Sequence, residues 1–414
     1  MSTPSPAPAV SPTPTVSVTP ARANWWHSSR NRALLLIGIL VLGVVFLFGG
    51  DGWVSVLDAT MVWAIAALGL NVLSGYAGQI SLGIAFFMGI GAYTAGWLGG
   101  GPPLFPGDPN GLGLSFLIWL PASGIVAALI GALVGPTALR LKGFYLGIVT
   151  LALVFIGQYL FLNLRSVTGG AQGRSNFPTP GFGDFSFASP TTVLGVDLTI
   201  NQWYFLLLLP LLVIAAIFVG NVARTRVGRA WRAVRDNEVA ASIMGVNLFV
   251  AKMGAFILSS FLAGIAGALY ASLSGIATPG TWNLLLSVQL IAAILIGGAA
   301  SVWGSILGAA FVFALPIALD SLQLLPQSAS STGLSSGDLS AILYGLLIIV
   351  FLLYEPAGMI GLIYRLRTTT QRFEARRKGG DPATQTMTPS DNESQLDVEP
   401  VDRAERTDMP QAPN

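Results

Sequence analysis

The chain has no cysteine, a single histidine and few charged residues, and each shortage removes a class of function. Without cysteine there are no disulfides, no thiolate nucleophile and no Cys-ligated zinc or iron–sulfur centre. The histidine, His27, stands beside Trp25 and Trp26 before the first apolar run, where aromatic residues mark a membrane interface. Charged residues make up 10% of the chain, against roughly 25% in a soluble domain. No basic patch is interleaved with aromatics, so nucleic acid is not an expected partner. No Gly-x4-Gly-Lys-Ser/Thr string occurs, so no phosphate-cradling loop for a nucleotide is present. Asp58, Asp320 and Glu355 fall at or near the ends of apolar runs. A proton relay through the membrane needs a titratable group within it, so proton coupling is not expected. Sodium sites built from carbonyls and hydroxyls at helix breaks are excluded less firmly.

What the chain does have is apolar length. Hydrophobic residues make up 53% of it, gathered into runs at 33–48, 54–74, 80–98, 114–139, 144–162, 203–219, 249–272, 284–296, 302–319 and 340–354. Most approach the roughly 20 residues that a helix needs to cross a bilayer. The expected fold is an all-α integral membrane protein with about ten transmembrane helices. The eighth run is short and ends in glycine, so it is tilted, broken or re-entrant against a protein wall. The first run has a long lead and reads as a retained helix rather than a cleaved leader.

Threading these runs alternately across a membrane places nearly all the cations on one side. Arg22, Arg30 and Arg32, Arg140 and Lys142, the six from Arg224 to Lys252, the six from Arg365 to Lys378, and Arg403 with Arg406 share a side; Arg165 and Arg174 lie opposite. Cations resist translocation, so both termini are expected in the cytoplasm, in keeping with a multi-pass protein of the cell inner membrane. Residues 1–32 and 365–414 read as cytoplasmic tails, the first rich in Pro, Ser and Thr, the second basic and then acidic, both too poor in apolar residues to fold. Residues 33–364 form the transmembrane domain, with a cytoplasmic loop at 224–252. On the other side, residues 163–202 form a long Gly-, Pro- and Ser-rich loop, of the kind that is functional or disordered.

The cytoplasmic loop is the most informative segment. From Arg224 it reads RTRVGRAWRAVRDNEVAASIMGVN, in which Ala230, Ala233, Val234, Ala241 and Met244 follow helical spacing as one apolar stripe. Arg229, Arg232, Arg235, Asp236 and Asn237 project elsewhere. Two readings stand for such an amphipathic helix. It lies on the lipid surface, held by its arginines, or it docks its stripe into a groove of a cytoplasmic partner.

Five stretches in order, LNVLSGYAGQISLGIAFFMGIGAYTA from Leu70, LKGFYLGIVTLAL from Leu141, TGGAQG from Thr168, GRAWRAVRDNEVAASIMGVN from Gly228 and IGGAASVWGSILGAAFV from Ile296, resemble the LivM-type permeases of branched-chain amino acid ABC transporters. The resemblance covers roughly residues 54–363. It implies the ABC importer permease fold, no enzymatic activity and no cofactor bound by this chain, with ATP and Mg held on partner subunits. The implied partners are a second, LivH-type permease, two cytoplasmic ATPase subunits and an external solute-binding protein, besides membrane lipid. It also assigns the loop: a Glu-Ala-Ala-like element ending in glycine meets the ATPase, matched by Glu238, Ala240, Ala241 and Gly245, with Gly228, Arg229, Arg232 and Arg235 on the approach. Phe155 and Gln158 stand where many such chains have an acidic and a basic residue, and Gln289 where Glu is frequent. These departures leave the solute open between branched-chain amino acids and the urea or short amides carried by related permeases. Rivals from another class are a sodium-coupled transporter and a passive channel.

Several polar and small positions carry two readings each. Asn71, Ser74, Tyr76, Gln79 and Ser81 either satisfy backbone at a turn or line the path. Gln158 and Gln289 are either interhelical hydrogen-bond partners or path lining. Thr168, Gly169 and Gly170 form a tight turn or contact the binding protein. Gly83, Gly89, Gly91, Gly96, Gly264 and Gly267, at small-xxx-small spacing, are expected to let helices pack closely.

Overall fold

A computed structural model of the chain describes residues 50–105, 108–138, 144–182, 185–187, 191–193, 196–316 and isolated residues between 345 and 361. The run at 33–48, nearly all of that at 340–354 and both tails lie outside the described residues. Among those described, six helices are long and apolar enough to cross a membrane and two apolar ones are shorter.

The first long helix, α1 (Asp51–Leu70), continues as a π-helical segment, Asn71–Tyr76. Every residue from Thr60 to Leu73 is buried, the expected state of a helix apolar on all sides. An irregular stretch leads to α2 (Ile84–Gly99), followed by α3 (Phe116–Ala138), α4 (Phe144–Asn163) and α5 (Ile200–Val222). The run expected from residue 80 therefore becomes helical only at Ile84. The reason is local: Ser74 Oγ donates to the Gln79 carbonyl at 3.0 Å, and Thr150 Oγ1 accepts from the Leu82 amide at 2.9 Å. Between α4 and α5 the segment read as one long loop holds a helical turn, Arg165–Thr168, and two small antiparallel hairpins. In one β1 (Gly181–Phe182) pairs with β2 (Phe185–Ser186), in the other β3 (Thr191–Val193) with β4 (Val196–Leu198).

After α5 come two short helices, α6 (Arg226–Asp236) and α7 (Glu238–Ile243), then α8 (Leu248–Ser274), α9 (Leu284–Gly297) and α10 (Val302–Ala309). Their starts are punctuated by polar caps. The side chains of Asn247, Asn283 and Ser301 accept from the amides of Val250, Leu286 and Gly304, satisfying donors that an α-helix leaves free. Thr199 and Gln202 close a reciprocal capping box on α5, and Thr199 Oγ1 also donates to Asp51 at the head of α1.

Helix α8 is the packing hub, against α1, α2 and α3. It approaches them through glycine: a Cβ on Gly267 would fall 1.9 Å from the Met88 carbonyl oxygen, and one on Gly91 2.0 Å from that of Gly264. Large residues are buried at the start of α3, at Phe116, Trp119 and Leu120, and beyond them its buried side is lined by small residues. Its buried positions include Ser123, Gly124, Ala127, Gly131 and Gly135, whereas Leu117, Ile118, Ile125, Leu129 and Leu133 are exposed. In a medium as apolar as leucine, helices associate by close contact of small residues, so beyond Leu120 the large side chains turn away.

Asp58 departs from its expected place at a helix end. It sits seven residues into α1, about 10 Å along the axis, fully buried, with no hydrogen-bond partner for either carboxylate oxygen.

Candidate functional site

The α6–α7 segment is one unit broken at Asn237, whose backbone leaves the helical region (φ −160, ψ 112). Asn237 Oδ1 then accepts from the amides of Val239 and Ala240 at 2.9 and 3.0 Å, which starts α7 at a new angle. The break divides the single apolar stripe expected from the sequence. Trp231, Val234 and Ala241 are buried inward. Ala230 and Ala233 are half-buried. Met244, read as part of that stripe, is 83% exposed, and Ile243 is 79% exposed. With Val239, one turn before Ile243, they form a second apolar face that no residue of this chain covers among those described.

The loop is tied firmly to the helices beneath it. The Trp231 indole N–H donates to the Ala251 carbonyl at 2.8 Å. The next residue, Lys252, is buried and its Nζ pairs with Glu238 Oε1 at 2.6 Å. Both anchors therefore fall near the start of α8. Arg229 donates to the Arg224 carbonyl and Arg232 to those of Ala223 and Gly228, so these cations brace the start of α6. Gly228 lies against Ala223, where a Cβ would meet the carbonyl oxygen at 2.2 Å. Arg235 reaches furthest: its Nη1 donates to the Gly75 carbonyl at 3.0 Å, and its Nε contacts Asp236. Ala240 is exposed, and Gly245, at φ +84, ends α7 in the left-handed region that favours glycine. Trp231 escaped the sequence reading although it is the deepest anchor of the loop; an aromatic residue among arginines was the available signal.

Glu238→Gln strips a carboxylate from a buried ammonium and is expected to destabilise the loop by about 2 kcal/mol. The Glu238→Gln, Lys252→Met pair should recover most of that loss, because no buried charge is then left alone. A double-mutant cycle on thermal unfolding, or on hydrogen exchange of the α7 amides, checks this; strict additivity would contradict it.

The remaining polar candidates separate. Asn71 is fully buried and hydrogen-bonded to the backbone of Ala300 and Ser301. Ser81 is buried and its hydroxyl accepts from the Gly83 amide. Tyr76 is buried at the end of the π-helical segment. Gln79 is also buried, but neither end of its amide finds a partner. Gln158 on α4 and Gln289 on α9 are half-buried. Thr150 and Ser287, not singled out in the sequence, hold the start of α2 through the amides of Leu82 and Ala85. Their role arises only when α4 and α9 pack beside α2, so no local pattern announces it.

At the opposite end, Thr168 donates to the carbonyls of Phe161 and Leu164, and both Thr168 and Gly170 are buried. The surface beside them is Ala171 and Gln172. Arg174 forms a two-bond bridge with Ala277 through its backbone. Its fully buried side chain lies against Gly96 and Gly100 at the C-terminus of α2, where the helix dipole favours a cation. Burial pushes the guanidinium down to about 10 while the Asp108 carboxylate works in the other direction. A cavity of about 550 Å³ opens nearby, lined by Gly99, Gly101, Phe116, Asn176 and Pro178 among others.

Comparison with known proteins bears on these features together. Residues 52–352 match the model of the branched-chain amino acid transport system permease component. The high-affinity branched-chain amino acid transport system permease protein LivM of Salmonella typhimurium is 32% identical over 80% of this chain and 76% of its own length. LivM of Escherichia coli shows the same identity and coverage. The ribose import permease protein RbsC of Haemophilus influenzae is 25% identical over 70% of this chain and 84% of its own. No solved structure is a significant match.

Proposed function

Because this multi-pass membrane protein belongs to the family of branched-chain amino acid transport system permease components, we propose that it imports branched-chain amino acids across the inner membrane on ATP hydrolysed by separate subunits. The observation that carries this reading is the uncovered apolar face of Val239, Ile243 and Met244. It projects from a capped helix anchored to α1 and α8, in a chain with no phosphate-binding loop of its own. In this reading both termini and the α6–α7 loop are cytoplasmic, and two ATPase subunits dock on that face. A LivH-type permease pairs with this one, and an external solute-binding protein delivers the solute near Ala171 and Gln172. ATP and Mg belong to the ATPases; this chain binds neither.

Gln79, Gln158 and Gln289 are the side chains proposed to meet the solute. A buried amide left without a partner costs free energy, and a polar solute passing Gln79 would supply the missing hydrogen bonds. Asn71 and Ser81, both occupied by backbone, support the path rather than line it. The test is ATP-dependent uptake of labelled leucine into vesicles holding the complete reconstituted complex. Competition by valine is expected, and none by urea, acetamide or ribose. Competition by one of those three alone would reassign the solute.

Asp58 favours a second reading, coupling to a cation, since a buried carboxylate with no partner can bind one. ATP-driven uptake that persists in an Asp58→Asn variant and with the ion gradients collapsed would exclude it.

A further inference from the structure

We infer that Arg235 and Asn71 are positioning residues that fasten the docking loop to the turn between α9 and α10, so that displacement of one is conveyed to the other. The inference rests on the docking role proposed above for α7.

Gly75 is the meeting point. It lies in the π-helical segment at the end of α1, where terminal carbonyls lack intrahelical partners, and its carbonyl accepts the bond from Arg235 at 3.0 Å. The stem of Arg235 runs over Gly78, where a Cβ would come within 2.5 Å of Arg235 Cγ. On its other side Gly75 touches the turn: a Cβ there would fall 2.5 Å from the Ala300 amide nitrogen and 1.8 Å from Asn71 Oδ1. Gly75 thus lies directly against the turn, and the Arg235 side chain spans from α6 to its carbonyl.

Asn71 closes the join. Its Oδ1 accepts from the Ala300 amide and its Nδ2 donates to the Ser301 carbonyl, both at 2.9 Å. One planar amide holds a donor and an acceptor of the same turn, which fixes the turn's orientation as well as its position. The turn needs holding. Ala300 has φ +58, and among the described residues no other non-glycine residue adopts a positive φ; such a conformation persists where its surroundings over-determine it. The turn in turn places α9, which carries Ser287 against the start of α2 and Gln289 in its own middle. Arg235 lies in the last turn of α6, directly before the Asn237 break. A push on α7 therefore has a route of hydrogen bonds and close contacts through Arg235, Gly75 and Asn71 to the turn that sets α9.

The test uses the complete complex in vesicles, comparing Arg235→Gln and Arg235→Lys with the parent chain. In Arg235→Gln the ATPase subunits should remain bound and hydrolyse ATP within twofold of the parent rate, while solute moved per ATP falls at least tenfold. Arg235→Lys, which keeps one donor for the Gly75 carbonyl, should retain most of the parent ratio. A second readout uses the absence of cysteine: Ala299→Cys places a single thiol on an exposed position of the turn. Its labelling by a maleimide should change with nucleotide in the parent complex and lose that dependence in Arg235→Gln. An unchanged solute-to-ATP ratio with nucleotide-dependent labelling in Arg235→Gln overturns the inference. So does loss of the ATPase subunits from that variant, which would put Arg235 in the docking contact itself. A parent complex without ATP-dependent uptake overturns the docking reading and this inference together, and is distinguished by needing no variant.

Discussion

Replacing Ile243 and Met244 together by Asp is expected to lower the affinity of the ATPase subunits at least a hundredfold, with the permease still folded. Full burial of an aliphatic side chain contributes about 1.5–3 kcal/mol, and two of them lost from an interface amount to two or more powers of ten in Kd. In the isolated chain these side chains are 79% and 83% exposed, so their removal takes little from its own core. The bonds that shape the loop, from Asn237, Trp231 and the Glu238–Lys252 pair, are untouched. Affinity of purified ATPase subunits for the detergent-solubilised variant, read beside its thermal unfolding, decides the matter. Parent affinity in the double variant would remove this face from the docking contact.

The second large effect is on folding. Gly267→Leu is expected to prevent accumulation of folded protein, and Gly91→Leu to come close. In each case the first added carbon lies 2.0 Å or less from a carbonyl oxygen of the facing helix. Backbone cannot yield as a flexible side chain does, so the penalty is expected at the upper end of overpacking, about 3 kcal/mol or more. Gly254→Ala in the same helix has nothing within 4 Å of its new carbon and should be neutral. Yield of monodisperse protein and its unfolding temperature separate these outcomes. Equal losses for Gly254→Ala and Gly267→Leu would mean that glycine in α8 serves something other than close approach.

Most helix positions were legible in the residues because hydropathy and length dominate the choice of segment. The run at 144–162 became Phe144–Asn163, and that at 249–272 became Leu248–Ser274. Errors arose where a tertiary contact outweighs that signal. Residues 80–83 are continuous with the apolar run that forms α2, yet Thr150 holds them out of the helix. Helical spacing placed Met244 with Ala241, but a single capping asparagine reset the phase between α6 and α7. The polar candidates looked equivalent as a string. They became distinct once it was visible that Asn71 had partners 229 and 230 residues away and Gln79 had none. Small-xxx-small spacing was informative because it encodes volume, which is what lets Gly91 and Gly267 bring α2 and α8 into backbone contact.

Helix α8 holds both anchors of the α6–α7 loop near its start, at Ala251 and Lys252, and ends beside Ala277, whose backbone is bridged to Arg174 at the other end of the protein. Its 27 residues make a rod about 40 Å long. Where its glycines bring it into contact with the backbones of neighbouring helices, there is little soft side-chain matter to absorb a displacement. Mechanically it is a lever with the load at one tip and a latch at the other, so a tilt of about 5° at the loop moves the far tip by roughly 3 Å.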